Sequence, residues 1–426
     1  MDVLQKELLP GVTLTALRTD KFKSSCLSLT LLTPMEKQTV TANALLPSVL
    51  RRGSQDHPDA RSLSAALDDL CGGTLEVSVR RQGETQCVGF IGSFLDDAFS
   101  PDGTPILESA AALMGELLLR PVTENGVFRA DYVCGEGKNL ADRIRAQIND
   151  KRQYAIKRLT EQMCEGEPYG MDKLGFADEA AAVTPQQLWE RYQALLRTAP
   201  IALYYCGSAP VERVEKALKD ALNGLPERAA VQLPTCTAVA RPVGKVRCFE
   251  DALDVTQGKL ALGWRTGGIT IRSEEYPALL VLNAVYGGTT TSKLFMNVRE
   301  RLSLCYFASS MLDKQKGLML VSSGIEFDKV DQAREEILAQ FKACVTGDFT
   351  DQELEAARRA VVSSLTACED SQGLLESYWQ TQAAAGLCRK PDELIRAVEQ
   401  VTAEQVVNVA KQMELDAVYF LKGKEG

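Results

Sequence analysis

The sequence predicts an α+β fold made of two similar halves, each a mixed or antiparallel sheet covered on one face by helices. Three observations lead to this prediction. The chain has 426 residues, more than the roughly 100–200 residues of a usual domain. Strand-like and helix-like runs are mixed without strict alternation of strand and helix, which disfavours a purely parallel sheet. The order of these runs then starts again in the second half of the chain.

Strands are predicted in the first half where apolar and polar residues alternate, and helices where apolar residues recur every three or four positions. The predicted strands are 12–17, 26–32, 75–79, 87–94 and 201–206. The predicted helices are 40–52, 63–70 with a glycine stop after it, 106–119, 186–196 and 211–222, together with a long polar, helix-prone stretch at 127–163. The turn-like stretch RTDKFK joins the first two strands, which are expected to form a hairpin.

The segment 224–246 contains Pro226, Pro234 and Pro242, has little periodicity and is predicted to be a linker between domains 1–223 and 247–426. Beyond it, the predicted strands are 259–264, 305–310 and 318–325, and the predicted helices are 274–286, 292–302, 329–345, 351–377 and 392–398. The two halves end alike, with VTPQQLWERYQALLRTAPIALYYCG in one and VTAEQVVNVAKQMELDAVYFLKG in the other. This match favours an internal duplication, although two common helix–strand patterns could also match by chance.

Composition narrows the class of protein. Hydrophobic residues make up 45% and charged residues 25% of the chain, as in globular proteins. The formal charge is −9 with scattered basic residues, so nucleic acid is not an expected partner. No basic start precedes an apolar run and no stretch of about 18 apolar residues occurs, which predicts a cytoplasmic protein that does not bind membranes. Twelve cysteines without a CxxC pair favour small buried thiols over zinc or disulfide roles.

Several motifs resemble one family. They are YGGTTTSKLFMNVRERLSLCYFASS, RTDKFKSSCLSLTLLTP, ALLPSVLRRGS, LDDLCGGTLEVSV and NDKRQYAIKRLTEQMCEGEPYG. The chain resembles the M16B branch of the insulinase family of peptidases, and within it the bacterial YfmF-type non-catalytic subunits, which are named for an association with the 5-aminopentanol modification of elongation factor P. The resemblance implies a tandem duplication of an M16/LuxS-like metalloenzyme-type domain.

Active members of this family carry His-x-x-Glu-His on the first helix, where two imidazoles bind Zn²⁺ and the glutamate activates water. Aligned on that helix, Ala44 and Ser48 replace the histidines and Pro47 replaces the glutamate. The single histidine, His57, lies in the polar stretch GSQDHPDA and is expected to be a solvent-exposed loop residue. The alternatives are that His57 acts as a metal ligand or a catalytic base, or that it forms a pair with Cys71. The chain is therefore predicted to bind no metal and to be inactive alone.

The resemblance also implies a substrate-binding role. In two-chain members one subunit supplies zinc and the other an arginine and a tyrosine, spaced as Arg299 and Tyr306 are here, with Arg301 as a competing cation. A guanidinium can bind peptide carbonyls and a phenol can donate to a developing oxyanion. Alternatively, Arg299 is a solvated helix residue paired with an acid and Tyr306 is half in the core. Gly287 and Gly288 are expected to let helices approach a bound backbone, or simply to stop a helix.

The leading functional prediction is a non-catalytic subunit of a heterodimeric zinc peptidase. Its partner would be a homologue that carries His-x-x-Glu-His and the zinc, and its substrates would be peptides held as an added strand on a sheet edge. The alternative is a structural or peptide-binding scaffold with no proteolytic role. A stand-alone enzyme of another chemistry is disfavoured, because no phosphate-binding loop, Ser–His–Asp set or cofactor motif is visible.

Overall fold

The structure is a computed structural model that describes residues 2–101, 103–234 and 244–424. The strands are β1 (Asp2–Leu9), β2 (Val12–Arg18), β3 (Ser24–Pro34), β4 (Thr74–Gln82), β5 (Thr85–Leu95), β6 (Thr123–Glu124), β7 (Val127–Phe128), β8 (Ile201–Gly207), β9 (Arg247–Leu253), β10 (Gly258–Arg265), β11 (Cys305–Asp313), β12 (Leu318–Ile325) and β13 (Glu414–Gly423).

The α-helices are α1 (Val40–Leu50), α2 (Ala60–Asp69), α3 (Ile106–Leu119), α4 (Ala130–Ala146), α5 (Lys151–Met163), α6 (Ala177–Ala182), α7 (Pro185–Thr198), α8 (Val211–Ala221), α9 (Tyr276–Asn283), α10 (Val330–Thr346), α11 (Asp351–Cys368), α12 (Gln372–Ala384), α13 (Pro391–Glu399) and α14 (Ala403–Gln412). Two π-helical segments, with one more residue per turn, are Ala284–Gly288 and Leu294–Arg301. Among the described helices none is both long and apolar enough to cross a bilayer.

The chain forms two compact units. The first consists of the described parts of Met1–Arg145, Asp172–Pro234 and Ser371–Cys388, and the second of the described parts of Ala146–Met171, Thr235–Asp370 and Arg389–Gly426. The domain boundaries 1–223 and 247–426 remain predictions. The central part of the predicted linker, residues 235–243 with Pro242, lies outside the described residues.

The first sheet has the strand order β1-β2-β8-β3-β5-β4. Strand β8 runs parallel to β2 and antiparallel to β3, and lies between them. The predicted hairpin of β2 with β3 is therefore wrong, because the apolar and buried β8 takes the central place. Strand β2 pairs instead with β1, which periodicity missed because the polar and apolar residues of its sequence DVLQKELL do not alternate.

The second sheet repeats the topology of the first. Its order is β11-β12-β10-β13-β9, with β9 and β13 parallel and every other neighbouring pair antiparallel. Strands β9 to β13 thus take the places of β2, β3, β4, β5 and β8. This repeat confirms the predicted α+β duplication. Strand β9 was missed because RCFEDAL is a polar edge strand with alternate residues exposed.

Each sheet is covered by helices on both faces, so the prediction of one covered face is wrong. Helix α5 precedes β8 in the chain but belongs to the second unit, where Ile156, Leu159 and Met163 pack on the second sheet against Tyr419. On the opposite face of that sheet the Trp264 ring packs against the Tyr286 and Phe341 rings.

Helix α12 occupies the equivalent place in the first unit. Its Ala384 packs against Leu32 and Cys87, and Gln380 Nε2 donates to Thr30 Oγ1 at 3.0 Å. The Ser24, Ser28 and Thr30 side chains of β3 lie on this face. They face a helix that carries polar groups of its own.

Two long segments that were predicted to be helical each contain parts of two helices in the structure. The stretch 127–163 contains α4 and α5, and 351–377 contains α11 and the start of α12. Asp150 accepts hydrogen bonds from the backbone N–H groups of the first turn of α5, and the Ser371 side chain caps α12 in the same way. Such caps begin a new helix, so the prediction of a single helix over 351–377 was wrong, while the helix-prone stretch 127–163 contains two helices.

Candidate functional site

The first helix does not fit a zinc ion. Ala44 is 2% exposed and belongs to the apolar core of the first unit, and Pro47 is buried inside α1. Ser48, half-buried, is a hydroxyl where the family's motif has an imidazole. Throughout the described residues, no group of three or more His, Cys, Asp or Glu side chains is placed to hold a metal ion.

A hydrogen-bond network of buried amides and one arginine lies on the same helix. Asn43, fully buried, accepts from Arg191 Nε at 2.6 Å through Oδ1 and donates to Gln86 Oε1 at 2.9 Å through Nδ2. Gln86 Nε2 in turn donates to the Val40 and Lys173 carbonyls at 2.9 and 2.7 Å. Buried polar groups that are paired in this way hold a fixed arrangement. Sequence periodicity gave no sign of this network, since its members come from distant segments.

His57 is half-buried, where the sequence predicted a solvent-exposed residue. Its Nδ1 lies 3.2 Å from Glu116 Oε1 on α3, and its backbone N–H donates to Ser54 Oγ at 3.1 Å. The Ser54 hydroxyl donates to the same carboxylate. The imidazole therefore anchors a loop to a helix, and Nδ1 faces a carboxylate, not the Cys71 thiol.

The predicted substrate-binding residues meet at one cavity of the second unit, with a volume of about 430 Å³. The cavity is lined by Arg152, Gly287, Gly288, Thr289, Thr290, Phe295, Arg299, Tyr306, Phe307, Ala308 and Ser309. The competing cation Arg301 does not line it, and its Nη2 lies 3.4 Å from Glu336 Oε1. A role of these residues toward a peptide stays a prediction.

Tyr306 reaches the cavity because of a β-bulge in the edge strand β11. Cys305 is opposite Ile325 and Phe307 is opposite Gly324, so Tyr306 is an extra residue in the register. A bulge redirects a side chain out of the sheet. The Tyr306 side chain is 78% exposed, and the alternative that places it half in the core is wrong.

Arg299 stands on the π-helical segment that leads into β11. Its guanidinium carbon lies 4.6 Å from the centroid of the Phe295 ring, and its Nε lies 3.6 Å from Glu300 Oε1. Both members of this ion pair are half-exposed, so solvent screens the attraction and the pair contributes little. The guanidinium can therefore exchange this partner for a ligand at small cost.

Gly287 and Gly288 allow close approach of the protein's own backbone. A Cβ at Gly287 would lie 2.7 Å from Ser310 Oγ and 2.8 Å from Ser310 N, which belongs to β11. A Cβ at Gly288 would lie 2.7 Å from Asn283 Nδ2. Gly287 thus lets the helical segment Ala284–Gly288 contact β11, the strand that forms one wall of the cavity.

Arg152 is a cavity residue that the sequence analysis did not single out. Its Nη2 donates to Ser309 Oγ at 2.9 Å, and its guanidinium carbon lies 4.1 Å from the centroid of the Phe307 ring. Its Nε is buried without a hydrogen-bond partner among the described residues. The motif NDKRQYA contains this arginine and could have pointed to it, but its partners lie 157 residues away.

Comparison with known proteins agrees with this fold. Residues 182–361 match the family described as Peptidase M16 inactive domain. The chain is 36% identical over 418 residues to the probable inactive metalloprotease YmfF of Bacillus subtilis (strain 168), covering 98% of this chain and 97% of that protein. The chain therefore belongs to the peptidase M16 family, as the motifs predicted, and is a homologue of its inactive metalloproteases.

More distant relatives are named as zinc proteases. An uncharacterized zinc protease of Mycobacterium leprae is 24% identical over 315 residues, covering 72% of this chain and 68% of that protein. Among solved structures, a conserved protein from Enterococcus faecalis V583 has a TM-score of 0.89 at 25% identity, with full coverage of both chains. A peptidase M16 inactive domain from Pseudomonas fluorescens has a TM-score of 0.80 at 16% identity, covering 100% and 99% of the two chains, which supports the fold.

Proposed function

We propose that this chain is the non-catalytic subunit of a heterodimeric M16 zinc peptidase and binds peptide substrates through the cavity of its second unit. Its partner would be a homologous subunit that carries His-x-x-Glu-His and the zinc ion. The observation that carries the proposal is the meeting of Arg299, Tyr306, Gly287 and Gly288 at one cavity.

The edge strand β11 supports peptide binding. It pairs with β12 on one side and is the last strand of its sheet, so among the described strands none covers its other edge. An extended peptide can add to such an edge through backbone hydrogen bonds, which recognise many sequences. Phe307, Ala308 and Ser309 of this strand line the cavity, so a peptide on this edge would pass beside it.

The two polar side chains have distinct expected roles. Arg299 presents a fork of N–H donors that suits peptide carbonyls in both the bound and the reacting state. Tyr306 presents an exposed phenol that can donate to the oxygen of the scissile carbonyl as negative charge develops there. Arg299 would then contribute mainly to binding and Tyr306 mainly to turnover.

The test is co-expression with a homologous subunit that carries His-x-x-Glu-His, followed by size-exclusion chromatography and a peptide-cleavage assay. Tyr306→Phe should leave assembly intact and lower turnover by about 10²–10³-fold, the usual loss of one oxyanion donor. Arg299→Ala should mainly raise KM. Tyr154→Phe is the matched control, because Tyr154 packs beside the core cluster under the second sheet and does not line the cavity.

The scaffold alternative gives a different result. If the complex forms and cleaves peptides at the wild-type rate with Tyr306→Phe, the phenol has no catalytic role and the chain acts only as a support. If no complex forms with such a homologue, the heterodimer proposal is wrong.

A further inference from the structure

We infer that the cavity of the second unit is selective for a carboxylate on its peptide ligand, and that Arg152 together with Arg299 provides this selectivity. The inference rests on the proposed peptide binding and adds the chemical class of the substrate. The carboxylate could be a glutamate or aspartate side chain or the carboxyl terminus of the peptide, and both sources present the same planar anion.

Arg152 is held in place so that its guanidinium faces the cavity. The Ser309 hydroxyl accepts from one terminal nitrogen, and the Phe307 ring lies against the guanidinium plane at 4.1 Å. Asp150 caps α5 just before it, which fixes the backbone from which the side chain extends. Among the described residues, the Arg152 Nε is a buried donor without an acceptor. A buried donor in this state favours a ligand that can accept from it.

The charge of the cavity has one sign. Its lining contains two guanidinium groups and no carboxylate. Hydroxyl groups of Thr289, Thr290 and Tyr306 complete the polar surface. Glu300 is the acid that approaches Arg299, at 3.6 Å from Nε, and it lies outside the lining. A concave site with cations and without an anion attracts negatively charged ligands.

A third cation lies nearby. Burial lowers the pKa of Lys259 on β10, and the positive charge of Arg152 lowers it further. This ammonium is hydrogen-bonded to Gln257 Oε1 at 2.6 Å. The direction of this pKa shift agrees with a positive potential around Arg152, although the inference stands on the geometry of the two arginines.

The aromatic rings make the site suited to a peptide carboxylate. Phe295 and Phe307 each pack against one of the two guanidinium groups, so the face of each cation is covered and hydrogen bonds to a ligand would come from its edge. A carboxylate can accept two parallel hydrogen bonds from such an edge. The apolar ring surface would contact the aliphatic part of the ligand.

The experiment measures binding to the isolated full-length chain by fluorescence anisotropy, without a partner subunit. Four labelled eight-residue extended peptides differ at two positions: a central glutamate or glutamine, and a free or amidated carboxyl terminus. At least one of the acidic peptides should bind about 10-fold or more tightly than the neutral one, as expected for a charge-assisted hydrogen bond. The preference should fall as salt is raised from 0.05 to 0.5 M, because mobile ions screen exposed charges.

Arg152→Gln should reduce the preference to about 2-fold or less while the affinity for the neutral peptide stays within about 2-fold of wild type. Arg152→Lys, which keeps the charge without the fork, should keep part of the preference. Arg334→Gln is the matched control, because Arg334 is a half-exposed arginine on α10 that does not line the cavity. Circular dichroism of each variant shows whether it is folded.

Three results overturn the inference: equal affinity of the wild-type chain for all four peptides, no binding of any of them, or a preference that survives in Arg152→Gln and Arg299→Gln alike. The comparison of the two peptides that carry a single carboxylate decides between a side-chain and a terminal carboxylate. Each of these outcomes leaves the cleavage test of the heterodimer standing, since that test is made with the partner subunit present and measures cleavage instead of binding to the isolated chain.

Discussion

Gly287→Ala tests whether the close packing between the π-helical segment and β11 shapes the cavity. The new methyl carbon would lie 2.7 Å from Ser310 Oγ and from Leu294 Cδ1, and 2.8 Å from Ser310 N. Rotation of side chains could relieve the first two contacts. The third is a backbone atom of a strand paired with β12, so the segment and the strand must move apart.

The change in the free energy of unfolding in Gly287→Ala follows from two opposing effects. Overpacking of this kind costs about 1–3 kcal/mol. Alanine is preferred to glycine in a helical segment by about 0.5–1 kcal/mol, which offsets part of the cost. The free energy of unfolding of the second unit is therefore expected to decrease by about 1–2 kcal/mol, which corresponds to about 5- to 30-fold faster amide exchange. The first unit should be unaffected.

Hydrogen exchange with mass spectrometry is the suitable assay, because it reports on the two units separately. Peptides that cover 305–325 should exchange faster in Gly287→Ala, and peptides that cover 24–34 should exchange at the wild-type rate. The control is Gly135→Ala in α4, where a Cβ meets nothing within 4 Å and the substitution should be neutral or stabilising. Unchanged exchange of 305–325 in Gly287→Ala would refute the argument that the glycine is required by close approach.

Three further predictions follow from buried contacts elsewhere. Burial raises the pKa of Glu167, but the Lys316 ammonium 2.6 Å away and a neighbouring guanidinium bring it below its ordinary value of 4.5. The Glu167–Lys316 pair therefore stabilises the fold fully above the ordinary pKa of 4.5, and this stabilisation is lost as pH falls through the lower pKa of the folded state. The urea midpoint should accordingly decrease below about pH 4.5. Glu167→Gln should cost about 3–5 kcal/mol at neutral pH, since Lys316 is fully buried, and should flatten this acid dependence. A midpoint with the wild-type pH profile in that variant would contradict the assignment. Gly89→Ala should prevent folding of the first unit, because its Cβ would lie 2.0 Å from the Leu29 carbonyl oxygen; soluble protein with a wild-type near-ultraviolet spectrum would refute this. Thr350→Ala should destabilise α11 by about 0.5–2 kcal/mol, and Thr350→Ser should keep the wild-type stability, because serine can cap the helix as threonine does. Amide exchange of residues 351–368 measures both effects. Equal exchange rates in the two variants would show that the cap contributes nothing.

The strongly periodic elements were predictable from the sequence. Strands β3, β5 and β12 and helices α3 and α10 were placed within a few residues of their observed bounds. Their apolar residues face one core, so local pattern and tertiary burial agree. The edge strands β1 and β9 were not predictable in this way, because apolar and polar residues do not alternate along DVLQKELL or RCFEDAL.

The candidate site was predicted in part. Arg299, Tyr306, Gly287 and Gly288 lie within 20 residues of one another, and the family motif that spans them identified all four. The structure adds that they line one cavity and that a β-bulge exposes Tyr306. Because the four residues lie in one segment, a single motif contains all of them.

The sequence by itself determined that this chain lacks the zinc site of its active relatives, because one histidine cannot supply two imidazole ligands whatever the fold. It also determined the duplication, since each half repeats the same local patterns. Only the tertiary structure decided that β8 separates β2 from β3, that α5 and α12 cover the second faces of the two sheets, and that Arg152 reaches the cavity. These arrangements join segments far apart in the chain. They are stabilised by burial and hydrogen bonds between segments that meet only in the folded chain. Local periodicity shows that a face is buried but does not show which distant segment packs against it.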